Sequence, residues 1–139
     1  MVAAELNART VHLAELQQFS PDARVNQEVM VAANLVTRMN CYEPGQVTPM
    51  HMHPDEDETL YIVEGHGRVT FQDRDDLPIK AGDLVFLPAA QFHQIVANDS
   101  DRMVLVYFMT PEYRTVRPDD SVAYTSVGQL HGERPLDDR

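Results

Sequence analysis

Residues 45–65, GQVTPMHMHPDEDETLYIVEG, decide how the rest of the chain is read. His51 and His53 stand two apart, Glu58 follows five residues after His53, and Gly45 and Gly65 close the ends. In an extended strand successive side chains alternate between faces, so His51 and His53 share one face while Met50 and Met52 take the other. Pro54-Asp55-Glu56-Asp57 is a polar, proline-initiated turn. ETLYIVE, from Glu58 to Glu64, is dense in β-formers and is expected to return as a second strand. A hairpin of that shape brings the Glu58 carboxylate back beside both imidazoles. Two imidazoles and a carboxylate converging from one side form a facial N,N,O set suited to Fe(II), Mn, Ni, Co or Zn.

A second stretch, GDLVFLPAAQFH over residues 82–93, reads as a glycine turn, an apolar strand, a proline stop and a histidine opening another strand. Together the two stretches resemble the paired sequence motifs of the cupin superfamily. The first family pattern, G-x5-H-x-H-x(3–4)-E-x6-G, is met by Gly45, His51, His53, Glu58 and Gly65. The second, G-x5-P-x-G-x2-H-x3-N, is met at Gly82, Pro88 and His93. It departs at Ala90, where the family has glycine, and at Asn98, which falls one residue late with Ala97 in its place. Both departures touch loop shape and a strand-end contact, and leave the ligand positions intact.

The resemblance implies an all-β fold, a cupin double-stranded β-helix or jelly-roll barrel in one domain. It implies one divalent transition metal ion (Fe, Mn, Ni, Co or Zn) held by His51, His53, Glu58 and His93. Open positions would remain for water, dioxygen or a bidentate substrate, which separates a catalytic site from a closed structural one. The expected partner is a small organic acid, enol or phenolic compound. Fe(II) would suit a dioxygenase; Mn, Ni or Zn would suit isomerase, decarboxylase or lyase chemistry, with Glu58 as the catalytic base. The competing reading is a non-catalytic, metal-containing module that binds a small molecule. A sugar-nucleotide epimerase type is disfavoured, because the basic residues that hold phosphates are scarce.

Composition agrees with a single domain. A chain of 139 residues with 43% hydrophobic content is long enough for a sizeable core. Its one cysteine, Cys41, excludes an intrachain disulfide and suits a reducing compartment. A net charge of −11 without basic patches argues against nucleic acid. No window approaches the roughly 20 apolar residues of a membrane span, and no basic segment followed by an apolar run opens the chain. No membrane partner and a cytoplasmic location are expected.

Taken in order, residues 1–28 are expected to form an N-terminal arm, with TVHLAELQQF a short strand or a turn of helix. Residues 29–110 are expected to form the barrel. Its first stretch, from Val29 to Tyr42, reads as one long strand or as two joined by a kink. Short strands between Gly, Pro and Asp turns follow, with no helical period. Residues 111–139, with three prolines and little periodicity, are expected to be an irregular tail. His12 is expected as a surface or packing histidine and His66 as solvent-facing, and His131 has no assigned role.

If Glu58 points inward, alternation sends Leu60 and Ile62 inward too; His93 likewise takes Ile95. Gln46, Gln91 and Tyr107 supply the polar groups expected near such a substrate pocket, although filling of the barrel is the better account of most of the apolar members. Arg38 and Arg68 become carboxylate partners only if their strands face inward. The outward set Thr59, Tyr61 and Val63 is the expected contact patch of a homodimer.

Overall fold

The computed structural model describes residues 7–125. Its first sheet carries five strands in the order β1 (Val25–Val31), β2 (Val36–Tyr42), β9 (Met103–Met109), β4 (Glu58–Glu64) and β7 (Leu84–Leu87). The second carries four, β3 (Val47–His51), β8 (His93–Ala97), β5 (His66–Phe71) and β6 (Leu77–Lys80). A two-stranded hairpin, β10 (Arg114–Val116) with β11 (Val122–Thr125), follows, and every ladder is antiparallel. Two such sheets packed face to face form the expected all-β jelly roll.

Strand alternation decides what fills the space between them. On β9, Met103, Leu105, Tyr107 and Met109 join Leu60, Ile62, Val69 and Ile95 in the inter-sheet core. Removing Leu60, Ile62 and Leu105 fully from water contributes about 1.5–3 kcal/mol each. Val104 and Val106 face outward with Met39 and Cys41, where Leu13, Leu16 and Phe19 of the N-terminal arm pack over them. β9 is therefore covered on both faces, which explains its near-continuous apolar sequence. Gly65 (φ +78°) turns β4 into β5 where a Cβ would run into the backbone of Arg102 and Met103, so only glycine fits there.

Several boundaries fall elsewhere than the sequence pattern places them. The arm contains one short helix, α1 (Leu13–Leu16), and strand β1 begins at Val25, inside the span assigned to the arm. Val29–Tyr42 divides into two strands of a hairpin, because Ala32 and Leu35 close a turn between β1 and β2. The stretch after residue 110 is not irregular up to Thr125: it supplies β10 and β11, and Met52 pairs with Val116. Residues 1–6 and 126–139, including His131, lie outside the described residues. Among the described residues no helix is long and apolar enough to cross a membrane. Tyr61 turns outward as expected, and with Leu84 and Phe86 it leaves an exposed apolar row on the outer sheet face.

Candidate metal centre

His51 ends β3 and sits opposite His93, the first residue of β8. A register irregularity between Thr48 and His51 re-aims the end of β3. His53 lies two residues on, past Met52, which the Val116 bridge fixes. Glu58 opens β4, paired with Leu87. All four side chains are buried, and each offers a ligand atom within 4.8 Å of the others. The imidazoles of His51 and His93 meet edge-on, 4.5 Å between ring centres, and those of His51 and His53 at 5.0 Å.

Each imidazole is held from behind by a backbone carbonyl. His51 Nδ1 lies 2.7 Å from the oxygen of Pro49, His53 Nδ1 2.8 Å from that of Arg114, and His93 Nδ1 3.0 Å from that of Gln91. A carbonyl only accepts, so Nδ1 carries the proton in all three rings, and a neutral ring presents its Nε2 lone pair to the centre. Glu58 Oε1 lies 3.4 Å from His53 Nε2 and 3.6 Å from His93 Nε2. Burial pushes the Glu58 carboxyl up, but protons on the facing Nε2 atoms of His53 and His93 hold it down harder, well below the usual carboxylate range. Burial, with His93 and His53 adjacent, holds His51 well below its ordinary 6.5. With the rings neutral the Glu58 carboxylate faces imidazole lone pairs, and among the described residues neither Glu58 Oε1 nor His93 Nε2 has a hydrogen-bond partner. Buried acceptors turned on one another are costly unless a cation lies between them. His51, His53, Glu58 and His93 can therefore hold a metal ion, with carbonyls orienting the three imidazoles.

Residues 38–110 match the family model of the cupin domain. The chain belongs to the cupin family. Among curated proteins, this cupin is 29% identical over 92 residues to acireductone dioxygenase 4 of Oryza sativa, covering 60% of the chain and 50% of that protein. It is 28% identical over 95 residues to a gentisate 1,2-dioxygenase of Ralstonia, covering 63% of the chain and 26% of the relative. It is 40% identical over 63 residues to an oxalate-binding protein of Thermotoga maritima, covering 45% of the chain and 50% of that protein. The chain spans half or less of the length of these relatives. Among solved structures, a double-stranded beta-helix protein from Klebsiella pneumoniae superposes with a TM-score of 0.70 at 18% identity, over 86% of this chain and 98% of that one. An RmlC-like cupin from Desulfovibrio desulfuricans gives 0.68 at 21%, over 76% and 98%. At such identities the likeness is one of fold.

The cupin's second motif now has a structural account. Ala90, in the family's glycine position, keeps the left-handed backbone (φ 64°) that glycine would adopt freely, and its N–H donates to the His53 carbonyl at 2.7 Å. Asn98 donates Nδ2 to the His66 carbonyl at 2.6 Å and accepts from the backbone of Ser100 and Asp101, knitting the turn into β9. Ala97, one residue earlier, is buried.

The expected pocket residues take different places. Leu60, Ile62 and Ile95 are fully buried core, and Tyr107 turns inward, donating its hydroxyl to Asn26 Oδ1 at 3.3 Å. The Gln46 side chain braces a turn instead: Oε1 accepts from the Glu43 N–H and Nε2 donates to the Ser20 carbonyl, each at 2.8 Å. Gln91 acts on the site through its carbonyl, which holds His93. Arg38 faces inward, whereas Arg68 is exposed beside Asp76. A surface groove lined by Gly67, Pro78, Ile79 and Lys80 lies at the other end of β5 from the His93 pairing and includes none of the four ligands. Two contributors escape sequence reading altogether: the Arg114 carbonyl behind His53, and Tyr113, whose ring packs edge-on against His53 at 5.3 Å. Backbone acceptors carry no sequence signal.

Proposed function

We propose that this cupin is a metal-dependent enzyme that acts on a small organic molecule, with Fe(II)-dependent dioxygenase chemistry as the favoured reaction class. The observation that carries the reading is the carbonyl-locked orientation of three imidazoles around an ionised carboxylate. Two of the related proteins are dioxygenases, of acireductone and of gentisate, which supports the class. A bound divalent ion supplies Lewis acidity and, as Fe(II), the electrons for oxygen chemistry.

The chain's own residues do the rest. The carbonyls of Pro49, Arg114 and Gln91 keep Nδ1 protonated and aim Nε2 inward, so little reorganisation is needed when the site is loaded. Glu58, ionised and buried, accepts a proton from a bound enol or phenol. Leu60, Ile62 and Ile95 keep water from the interior and strengthen each electrostatic contact within it. The alternative is a non-catalytic metal-containing binding module, favoured by the likeness to the oxalate-binding protein.

Elemental analysis after purification, followed by oxygen uptake with catechols, diketones and thiols, tests the reading. The expected result is about one iron per chain and substrate-dependent uptake, both lost in His51→Ala. Full metal stoichiometry in His51→Ala places the ligands elsewhere. Metal without turnover of any compound moves the chain to the binding module.

A further inference from the structure

The two large sheets leave four edge strands, β1 and β7 in one and β3 and β6 in the other. An open edge presents a row of backbone N–H and C=O groups to any strand that approaches, and three of these edges carry a device against it. β3 contains Pro49 and β6 contains Pro78, neither with an N–H to offer. β1 changes register between Glu28 and Met30 and bears the Glu28 carboxylate. β7, Leu-Val-Phe-Leu from Leu84 to Leu87, has no proline, no charge and no irregularity in its ladder with β4.

The outer side of β7 is apolar as well. Leu84 is 71% exposed and Phe86 59%, and Tyr61, opposite Leu84 on β4, is 42%. Further across the same face Leu13, Leu16 and Phe19 pack over Met39, Cys41, Val104 and Val106, and Val63 belongs to that covered cluster rather than to the exposed row. Which backbone groups of β7 are open follows from its paired side. The Ile62 N–H donates to the Asp83 carbonyl at 3.0 Å, so by the two-residue period of an antiparallel ladder Val85 and Leu87 also turn their backbone groups to β4. Those of Leu84 and Phe86 face the free edge.

This edge is complementary to itself. Two β7 strands running antiparallel about a two-fold axis at Val85 set Leu84 opposite the partner's Phe86 on each side of the axis, and each such pair exchanges both of its N–H···O bonds. The outer face then carries Tyr61, Leu84, the partner's Phe86 and the partner's Thr59 in one row, with leucine packed on phenylalanine across the junction. β7 bears no charge, and the adjacent Asp83 is paired with Lys80 at 3.6 Å. Two copies of a chain of net charge −11 can therefore meet here without setting carboxylates against each other. Pro88 follows at once and ends the ladder, which limits pairing to two copies. The exposed row amounts to roughly 300 Å² per copy. That is under half of the about 800 Å² each partner gives a standard interface, so a micromolar dimer is expected rather than a permanent one.

We propose that β7 is the docking edge for a second copy of this chain, pairing antiparallel with its own equivalent about Val85 and joining the two five-stranded sheets edge to edge. The inference stands independently of the metal reading.

Sedimentation velocity over a dilution series from about 100 to about 1 μM should show a monomer–dimer equilibrium. Leu84→Lys sets a charge on the edge, and Phe86→Pro removes an N–H from the free side of β7 and none from its ladder with β4. Each should weaken dimerisation about tenfold or more, with the circular dichroism of the native fold. Leu84→Lys, a change at an exposed side chain, carries the test alone if Phe86→Pro does not fold. In a Cys41→Ser background, Val85→Cys should oxidise to a disulfide-linked dimer, since the two copies of this residue face each other with Cα atoms about 4.5 Å apart. A monomer throughout the series overturns the proposal and leaves β7 to an extended segment of another protein. A dimer that keeps its affinity in Leu84→Lys overturns it too, because the copies then meet elsewhere. So does any species larger than a dimer, or a failure of Val85→Cys to crosslink at concentrations where the chain is dimeric.

Discussion

His53 is tied to Arg114, 61 residues further along the chain, through a 2.8 Å contact between its Nδ1 and the Arg114 carbonyl. Two backbone hydrogen bonds between Met52 and Val116, at 3.0 and 2.9 Å, hold the same segments together. One metal ligand is therefore oriented by a hairpin that follows the barrel's last large-sheet strand, and the hairpin takes part in the site without contributing a ligand.

Val116→Pro tests that coupling. Proline removes the N–H that bonds to the Met52 carbonyl and loosens the register behind His53. Metal affinity, measured by competition with a chromophoric chelator, should fall about 10–100-fold, the usual cost of losing an orienting contact behind a ligand. The barrel should remain folded, since Val116 belongs to neither of its two apolar clusters. Unchanged affinity would show that the hairpin only covers the site.

How much of this was legible beforehand depends on whether a side chain or a backbone did the work. His51, His53, Glu58 and His93 were legible because alternation and spacing act through side-chain identity. The inward turn of Leu60, Ile62 and Tyr107 followed from the same period. Arg38 was ambiguous, since inward and outward readings of β2 differ by one residue of register. The Arg114 carbonyl and the Gln46 turn brace could not be read, as any residue offers a carbonyl and a glutamine side chain serves a turn as well as a pocket.

The departure at Ala90 gives a second prediction. A left-handed backbone costs an L-residue about 1–2 kcal/mol, while glycine adds about 0.5–1 kcal/mol of backbone entropy to lose. Ala90→Gly should stabilise the fold by about 0.5–1 kcal/mol and raise Tm by roughly 2–5 °C. Metal affinity should stay the same, because glycine keeps the N–H that bonds to the His53 carbonyl. A lower Tm would mean that the alanine methyl packs more usefully than its backbone strain costs.

Cys41 gives a third. It is fully buried in the outer cluster beneath the arm, and burial pushes its thiol up. A thiolate is the reactive form, so the native protein should react negligibly with a disulfide reagent at neutral pH, and one thiol per chain should appear on denaturation. Leu16→Ala uncovers the cluster and should speed the native reaction. Rapid labelling of the native chain would place the arm away from the sheet.

Acid should destabilise the metal-free protein in two stages. His51 is held neutral in the fold, below its ordinary 6.5, so between those two values the unfolded chain binds the proton and the folded chain does not. Stability then rises with pH across that window and is lost as the pH falls below about 6.5. Glu58 is held ionised below its ordinary 4.5, so its contribution is complete above 4.5 and lost on further acidification. Each group adds at most about 1.4 kcal/mol per pH unit within its window. Urea unfolding at pH 7.5, 6, 5 and 4 should show little change above 7 and a steepening loss below 6.5, and His51→Gln should flatten the first stage. Metal should shift the whole curve to lower pH, since protons and the ion compete for the same Nε2 atoms. A stability that climbs from pH 7 to 5 would mean that His51 is protonated in the folded metal-free chain, against the direction burial gives it.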